Sequence, residues 1–452
     1  MGFFTVPINR FTGPALRRAE PNEDIPGMNP AEAIDTSVIT PSRDTGAAPC
    51  PAVPCRPETA DTDTVDPEMF RALSGIVHTP FWKDLREGGI FFLRRVLESL
   101  VTPDHLAYYK FRGLINLTLS SLMNIPRFPR ESWNALLWQV VGLKKRIEIS
   151  RLLGLDYFLH VGWTIQVTCS YRCRICPQKS HFKKHAAEIL PYATADRFMR
   201  EIRAFGYPLI GSYVGEPLMW PYFLDMVERH PRLFFISGTN GEYVPGLIHR
   251  IAQVRNLLLF VTLEGGPDTM ARMRRPDAYA NAVRAIRLLR EHRKPFGIII
   301  PVSRANFDEV IDMKFIRRQV YGRGAVFYCY SPYVGFDDRY SLTPEQERQV
   351  TRRIYEFQAS WHGARSVCLD YMRGFNSTNL GNFYDLKQHC LEMDPTGDVH
   401  LVVNQNQFRI GNMGRESLVR MLSKKRTLAW LKENAPRGHL GMNRLTLGHW
   451  LQ

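Results

Sequence analysis

Val167-Thr168-Cys169-Ser170-Tyr171-Arg172-Cys173-Arg174-Ile175-Cys176-Pro177-Gln178-Lys179 sets three cysteines at C-x3-C-x2-C spacing, directly after an apolar, β-prone run from His160 to Val167. Three thiolates on one short loop can hold three irons of a [4Fe–4S] cluster. The fourth iron is then open to a small molecule. Two plainer readings compete: three-quarters of a zinc site, or unpaired thiols in a buried loop. Structural zinc wants four ligands, usually as two pairs. The nearest further candidate, His181, has no partner at zinc-ribbon spacing. Thiolates select Fe–S clusters and zinc alike, so the surrounding chain has to decide.

Outward from the loop, strand-like and helix-like segments alternate from His160 to Tyr330. Strands are expected at His160–Val167, Pro208–Val214, Leu233–Gly238, Leu257–Leu263, Phe296–Val302 and Ala325–Tyr330. Helices are expected to start near Thr194, Pro221, Val244, Arg274 and Asn306. Thr194 reads as an N-cap, with Phe198, Ile202 and Phe205 at helical spacing behind it. Six such repeats without internal identity predict an α/β fold with a parallel sheet and helices on its outer face. A sheet of this kind carries its site at the carboxyl ends of the strands. The cysteine loop follows the first strand and falls at that end.

The second strand ends Ser212-Tyr213-Val214-Gly215-Glu216-Pro217-Leu218. Gly215 lets backbone approach a ligand closely, Pro217 fixes the turn, and Glu216 offers a charge-assisted acceptor to an ammonium. The third ends Ser237-Gly238-Thr239-Asn240-Gly241. The fourth gives Val261-Thr262-Leu263-Glu264-Gly265-Gly266, then Arg274-Arg275-Pro276. Taken singly, each could be a helix cap or a surface salt bridge. Taken in order with the cysteines, they resemble the radical S-adenosylmethionine (radical SAM) enzymes over roughly residues 156–330.

That resemblance implies a partial (β/α)6 barrel, a [4Fe–4S] cluster on Cys169, Cys173 and Cys176, and S-adenosylmethionine on the open iron. In the family, one electron cleaves the cofactor to methionine and a 5′-deoxyadenosyl radical, which abstracts a substrate hydrogen. Gly215, Glu216 and Pro217 would bind the cofactor's amino group, Val214 replacing the family's first glycine. Asn240 falls in the family's Thr-Asn-Gly turn. Thr262 would bond the ribose or carboxylate side, Glu264 would face the pocket, and Arg274 would pair with the methionine carboxylate. Ile175 stands where the family often has an aromatic residue that packs on the adenine.

Residues 331–452 are expected to form a small α+β extension. Thr343-Pro344-Glu345-Gln346 has the form of a capping box. Cys390-Leu391-Glu392-Met393-Asp394-Pro395-Thr396-Gly397 and the residues after it resemble the SPASM or twitch extension, whose β-hairpin binds auxiliary clusters in many of these enzymes. The match is degenerate, because Val402 stands at a family cysteine position and no cysteine follows Cys390. Only Cys329, Cys368 and Cys390 remain as ligands, whereas a full cluster usually takes four. The hairpin is expected to persist and the auxiliary cluster to be lost. Redox-neutral outcomes then gain weight: epimerisation, rearrangement or elimination. Cys329, expected to end the sixth strand at the barrel mouth, is the candidate thiol that returns a hydrogen atom. The plainer reading is a buried core thiol.

The totals bound the rest. At 452 residues, 44 % hydrophobic and 23 % charged, the chain suits a globular protein of two or three domains. No apolar run reaches the ~18–20 residues of a membrane span, and the start lacks a secretory pattern. Eight sparse cysteines fit a reducing cytoplasm. Residues 1–66, with 5 Arg against 10 Asp and Glu and much proline, read as disordered, and the metal reading of Cys50 and Cys55 is weak there. Residues 67–155 read as basic amphipathic helices. These would pack on the barrel, with peripheral membrane contact through 80–150 as the alternative.

The total charge of +15 favours acidic partners and ranks nucleic acid last, since no nucleic-acid motif accompanies it. The charge suits an anionic small-molecule or sugar-like substrate, and the resemblance implies a reducing partner such as a flavodoxin or ferredoxin. A peptide substrate, as in radical SAM maturases, is the alternative. A non-catalytic Fe–S or zinc scaffold is the alternative of another class.

Overall fold

The computed structural model describes residues 64–101, 137–155, 160–166, 168–176, 189–212, 214–333, 337–358, 360, 362–363, 366–368, 391–403 and 406–434. The N-terminal segment with Cys50 and Cys55, His181 and Cys390 lie outside them. Six parallel strands, β1 (His160–Trp163), β2 (Leu209–Ser212), β3 (Phe234–Thr239), β4 (Leu257–Thr262), β5 (Phe296–Val302) and β6 (Phe327–Pro332), lie side by side in chain order. Helices connect them, including Tyr192–Ala204, Val244–Gln253 and Ala278–Glu291. This is the right-handed β-α-β logic of a parallel sheet, left open as a partial barrel.

Alternation along the strands gives the sheet two apolar faces. Outward-facing Val161, Ile210, Phe235, Leu259, Ile298 and Tyr328 join the helices in the main core. Inward-facing Phe234, Leu258 and Phe260 form a second cluster with Leu209, Ile236, Ile299, Phe327 and Cys329 around them. Gly297 is required there, because a Cβ would stand 2.3 Å from the Phe260 ring.

The described residues beyond β6 do not form a separate body. β7 (Val367–Cys368) pairs in parallel with β6, while β8 (Leu391–Met393) pairs in parallel with β1 at the opposite edge. β9 (Asp398–Val403) and β10 (Asn406–Asn412) continue outward from β8 as an antiparallel hairpin. The result is one ten-stranded sheet, so the boundary expected at residue 330 does not divide the structure. The capping box is present: Thr343 N–H donates to Gln346 Oε1 at 2.9 Å and Gln346 N–H to Thr343 Oγ1 at 3.2 Å. Thr194 is not an N-cap. Pro191 holds that position with φ −61°, its carbonyl accepting from Ala195 N–H, and the helix begins at Tyr192.

Three N-terminal helices, α1 (Pro67–Val77), α2 (Phe81–Val101) and α3 (Leu143–Leu153), pack beside the barrel. Buried Arg146 of α3 donates to the carbonyls of Gly206 and Gln139, and Gln139 Nε2 donates to Tyr207 O at 2.8 Å. The backbones touch at Gly142 and Gly206, where a Cβ on Gly142 would stand 1.8 Å from the Gly206 carbonyl oxygen. Gly142→Ala should therefore destabilise by about 2–4 kcal/mol, a severe single-site cost. Thermal melting of the variant beside Gly75→Ala, where a Cβ meets nothing within 4 Å, checks it; equal melting temperatures would mean the contact is not obligatory.

Candidate active site

The cysteine loop leaves the carboxyl end of β1 and is pinned on several sides. Arg174 N–H donates to Met273 O at 2.7 Å. Tyr171, between the first two cysteines, is 2 % exposed, and its hydroxyl accepts from Asn281 Nδ2 at 3.0 Å. The Arg275 guanidinium lies 4.3 Å from the Tyr171 ring centroid. Glu242 at 2.7 Å and Asp277 hold that guanidinium in place. Cys169, Cys173 and Cys176 are each half-buried. Burial pushes the Cys169 thiol up to about 11, against the Tyr171 N–H that donates to its sulfur at 3.4 Å. Burial also raises Cys173, with the Arg274 charge opposing. Ligation needs thiolates, so loading this loop with metal releases protons.

Glu216, 1 % exposed, ties two strand ends together. Its Oε1 accepts from Thr239 Oγ1 at 2.9 Å and from Leu218 N–H at 3.3 Å; its Oε2 accepts from Asn240 N–H at 2.8 Å. Gly215 just before it has φ +67°, a left-handed conformation that favours glycine. Pro217 opens the 3-10 turn Pro217–Met219 behind it. Backbone closes the unit: Glu216 N–H donates to Thr168 O at 3.0 Å, and Gln166 Nε2 donates to Glu216 O at 3.2 Å. Asn240 then reaches the loop, its Nδ2 donating to Ser170 Oγ at 3.2 Å and standing 3.8 Å from Cys169 Sγ.

Across the next strand, Thr262 Oγ1 donates to Thr239 O at 3.1 Å. Glu264, 1 % exposed, accepts from Arg274 Nε. Although burial works against its charge, the Glu264 carboxylate holds the Arg274 guanidinium ionised, its pKa above the usual arginine value. Asn306, buried, staples the ends of β4 and β5. Its Nδ2 donates to Glu264 O at 2.7 Å and Pro301 O at 2.8 Å, while its Oδ1 accepts from Ser303 N–H at 2.8 Å. In the sequence Asn306 marked only a helix start; its side-chain bonds follow from tertiary placement. The Tyr171–Arg275 pair also carried no local signal.

Cys329 does not end its strand. β6 runs on through Ser331 and Pro332, and Cys329 pairs in register with Ile299, which pairs with Thr262. Its half-buried thiol therefore lies on the barrel's inner face, level with the end of β4. Cys368 is opposite in kind. It is in register with Tyr328, fully buried, and faces the outer core. Cys329 and Cys368 lie on opposite faces of the sheet and cannot ligate one cluster.

The donor set suits an Fe–S cluster: three thiols on one fixed loop, with no carboxylate or imidazole among them. Among the described residues, no three His, Cys, Asp or Glu side chains converge as a single ion requires. A cluster instead takes its cysteines on separate irons.

Two outcomes are expected of the unloaded protein. Arg275→Ala should speed hydrogen exchange of the loop amides by about three- to tenfold, the scale of a partly exposed cation–π contact. Tyr171→Phe, which keeps the ring, should change it less. Unchanged loop exchange would show that Arg275 does not order the cysteines. For Glu216, burial raises the carboxyl from 4.5 to about 7. Between those values the folded chain holds a proton the unfolded chain has lost, so stability falls as pH rises across that window. Glu216→Gln should remove this slope in melting experiments at pH 5 and pH 8.

Residues 163–315 match the family model described as Radical SAM superfamily. Over 206 residues the chain is 24 % identical to an AdoMet-dependent heme synthase of Methanosarcina barkeri (strain Fusaro), covering 44 % of this chain and 58 % of that protein. It thus spans less than two thirds of that relative. The solved structure of native anSMEcpe with bound AdoMet superposes with TM-score 0.50 at 14 % identity, covering 64 % of this chain and 89 % of that one. The same protein with AdoMet and the Kp18Cys peptide gives TM-score 0.50 at 13 % identity, covering 64 % of this chain and 88 % of that one. These two likenesses concern the fold, an open parallel barrel. The cofactors of the matched family are a [4Fe–4S] cluster and S-adenosylmethionine, which the three-thiol loop fits. Residues 163–315 thus carry a radical SAM domain.

Proposed function

We propose that this radical SAM enzyme cleaves S-adenosylmethionine reductively and takes a hydrogen atom from an anionic small-molecule or sugar-like substrate, with a redox-neutral outcome. The observation that carries the reading is the three-cysteine loop bound, through Asn240 and Glu216, to the ends of three adjacent strands. Cys169, Cys173 and Cys176 would hold the cluster. Bound there, cluster and cofactor would supply one-electron reductive cleavage and hydrogen-atom abstraction.

This chain's own residues do the positioning. The Glu216 carboxylate has three donors and room for a fourth, which suits the cofactor's ammonium. Gly215 keeps the backbone beside it open to close approach. Arg274 spends only its Nε on Glu264 among the described residues, leaving its outer nitrogens for the methionine carboxylate. The Thr262 hydroxyl retains acceptor capacity toward the ribose. Asn240 and Asn306 fix the loops that carry these groups.

Cys329, on the inner wall level with Thr262, is placed to give its thiol hydrogen atom to a substrate radical. The sulfur radical left behind would need one electron and one proton, drawn from a flavodoxin- or ferredoxin-like donor. The opposed faces of Cys329 and Cys368 support a neutral outcome, since these two cannot share an electron-accepting cluster. Sparse thiols on a cluster loop suit a reducing cytoplasm. The excess of basic residues suits an anionic substrate.

Anaerobic reconstitution should give about four irons per chain, lost in Cys169→Ala, Cys173→Ala and Cys176→Ala. The reduced protein should release 5′-deoxyadenosine from S-adenosylmethionine. Arg274→Lys, which keeps the charge beside Glu264, should weaken cofactor binding by about 1.5–3 kcal/mol. An intact cluster that never yields deoxyadenosine would favour a scaffold over an enzyme. With substrate in deuterated water, wild type should place one deuteron at the reacting carbon, and Cys329→Ala should abstract hydrogen without returning it. Unchanged labelling in that variant would remove Cys329 from the mechanism.

A further inference from the structure

The two faces of α2 differ in a way the barrel does not explain. Its inner face is spent on packing and ion pairs. Asp84, 8 % exposed, pairs with Lys145 at 2.6 Å, and Glu87 pairs with Lys144. Gly88 lies so close to residues 140–141 that a Cβ would stand 2.6 Å from the Val140 and Val141 carbonyl oxygens. The outer face carries Trp82, Arg86 and Ile90 at i, i+4 and i+8, a straight stripe of roughly 12 Å. Trp82 is 75 % exposed, Ile90 62 % and Arg86 71 %. Lys83 is exposed beside them. Among the described side chains of this helix, Asp84 is buried and Glu87 is half-buried between Lys144 and Arg86, the latter at 3.7 Å, while the exposed ones are basic or apolar.

The patch continues past the helix. Trp82 packs on Phe81, whose ring meets Trp138 with centroids 5.7 Å apart. The neighbouring Leu137 is 49 % exposed. The exposed Arg232 guanidinium lies over both rings, 5.6 Å from Phe81 and 5.1 Å from Trp138. A Trp, two aliphatic side chains and three cations share this surface. Their chemistry is that of an interfacial helix, with apolar groups for the acyl boundary and cations for the headgroups. No described helix is long and apolar enough to cross a membrane, so such a helix would lie on the bilayer.

We infer that the outer face of α2, with Leu137 and Arg232 beside it, is a docking surface for an anionic lipid bilayer. Charge complementarity selects that occupant: Lys83, Arg86 and Arg232 are exposed, Asp84 is buried against Lys145, and the half-buried Glu87 is matched by Lys144 and Arg86, which leaves the face net basic. A straight stripe with large apolar groups at both ends fits a flat surface. The inference is independent of the proposed chemistry, since none of these residues belongs to the candidate active site.

Full-length protein sedimented with vesicles of phosphatidylglycerol and phosphatidylcholine in equal parts should bind at low salt, and bind less as salt rises. Phosphatidylcholine vesicles alone should bind at least about tenfold more weakly. The double variant Trp82→Ser/Ile90→Ser should lose at least about tenfold in affinity for the anionic vesicles. Lys83→Gln/Arg86→Gln should lose about thirtyfold, from about 1 kcal/mol for each cation near the surface. Circular dichroism and iron content confirm folding of each variant. Should the serine pair misfold, Trp82→Phe with brominated lipid is the second arm: quenching of tryptophan fluorescence in wild type should largely vanish in the variant. Failure of wild type to bind anionic vesicles, equal binding to neutral ones, or variants indistinguishable from wild type overturns the inference. So does preference of the same face for an acidic protein with vesicles ignored.

Discussion

The buried carboxylate of Glu216 is the joint on which the site depends. Parallel strands can bring their carboxyl ends to one rim, but they do not fix the loops beyond. Glu216 does so by accepting from the hydroxyl of Thr239 and from two backbone N–H groups, one of them at Asn240. Asn240 in turn reaches Ser170 and Cys169. An uncompensated buried carboxylate is costly; here the donors converge, yet burial still raises its pKa to about 7. That residual penalty is what a cationic ligand arriving at the rim would relieve. Under the proposed function, the same group that orders the unloaded site would receive the cofactor's ammonium.

A second joint works from the opposite side. Arg274 and Arg275 are adjacent in sequence but act in different places. Arg274 turns to Glu264, while Arg275 lies over Tyr171 inside the cysteine loop. The Arg274 backbone, at φ −120° and ψ −86°, caps the helix Pro267–Met273 and breaks it from the helix Ala278–Glu291. A short break between two packed helices thus sets the cysteine loop and the buried ion pair in fixed relation. Displacing either arginine would disturb both.

The alternation of the strands was legible because it is local: β5 begins and ends where its apolar run does. β1 stops at Trp163 although apolar character continues, because the partners change. Thr164 N–H donates to Met393 O at 2.8 Å and Leu190 N–H to Ile165 O at 2.9 Å, so these residues no longer pair with β2. The sixth strand is displaced toward its carboxyl end, since Ala325 and Val326 are buried as apolar chain before the ladder starts. Positions with a motif around them, such as Cys169 and Glu216, could be singled out in advance as candidates. Asn306, Tyr171 and Arg275 could not, because their partners are 40 or more residues away, or on other elements.

The placement of β7 and β8 follows from what an open barrel leaves exposed. Six parallel strands end in two free edges, at β1 and at β6, each a row of unpaired backbone groups and a template for association. β7 covers the first two residues of β6, and β8 covers β1. The antiparallel hairpin β9–β10 then carries the edge away from the barrel. The helix Tyr192–Ala204 locks it there, with Arg197 donating to Met413 O at 2.7 Å and Glu201 accepting from Leu418 N–H at 2.6 Å. The extension is therefore part of how the open barrel's edges are covered. Because it takes Cys368 to the outer face while Cys329 faces in, the geometry that protects the sheet edge also separates the two thiols.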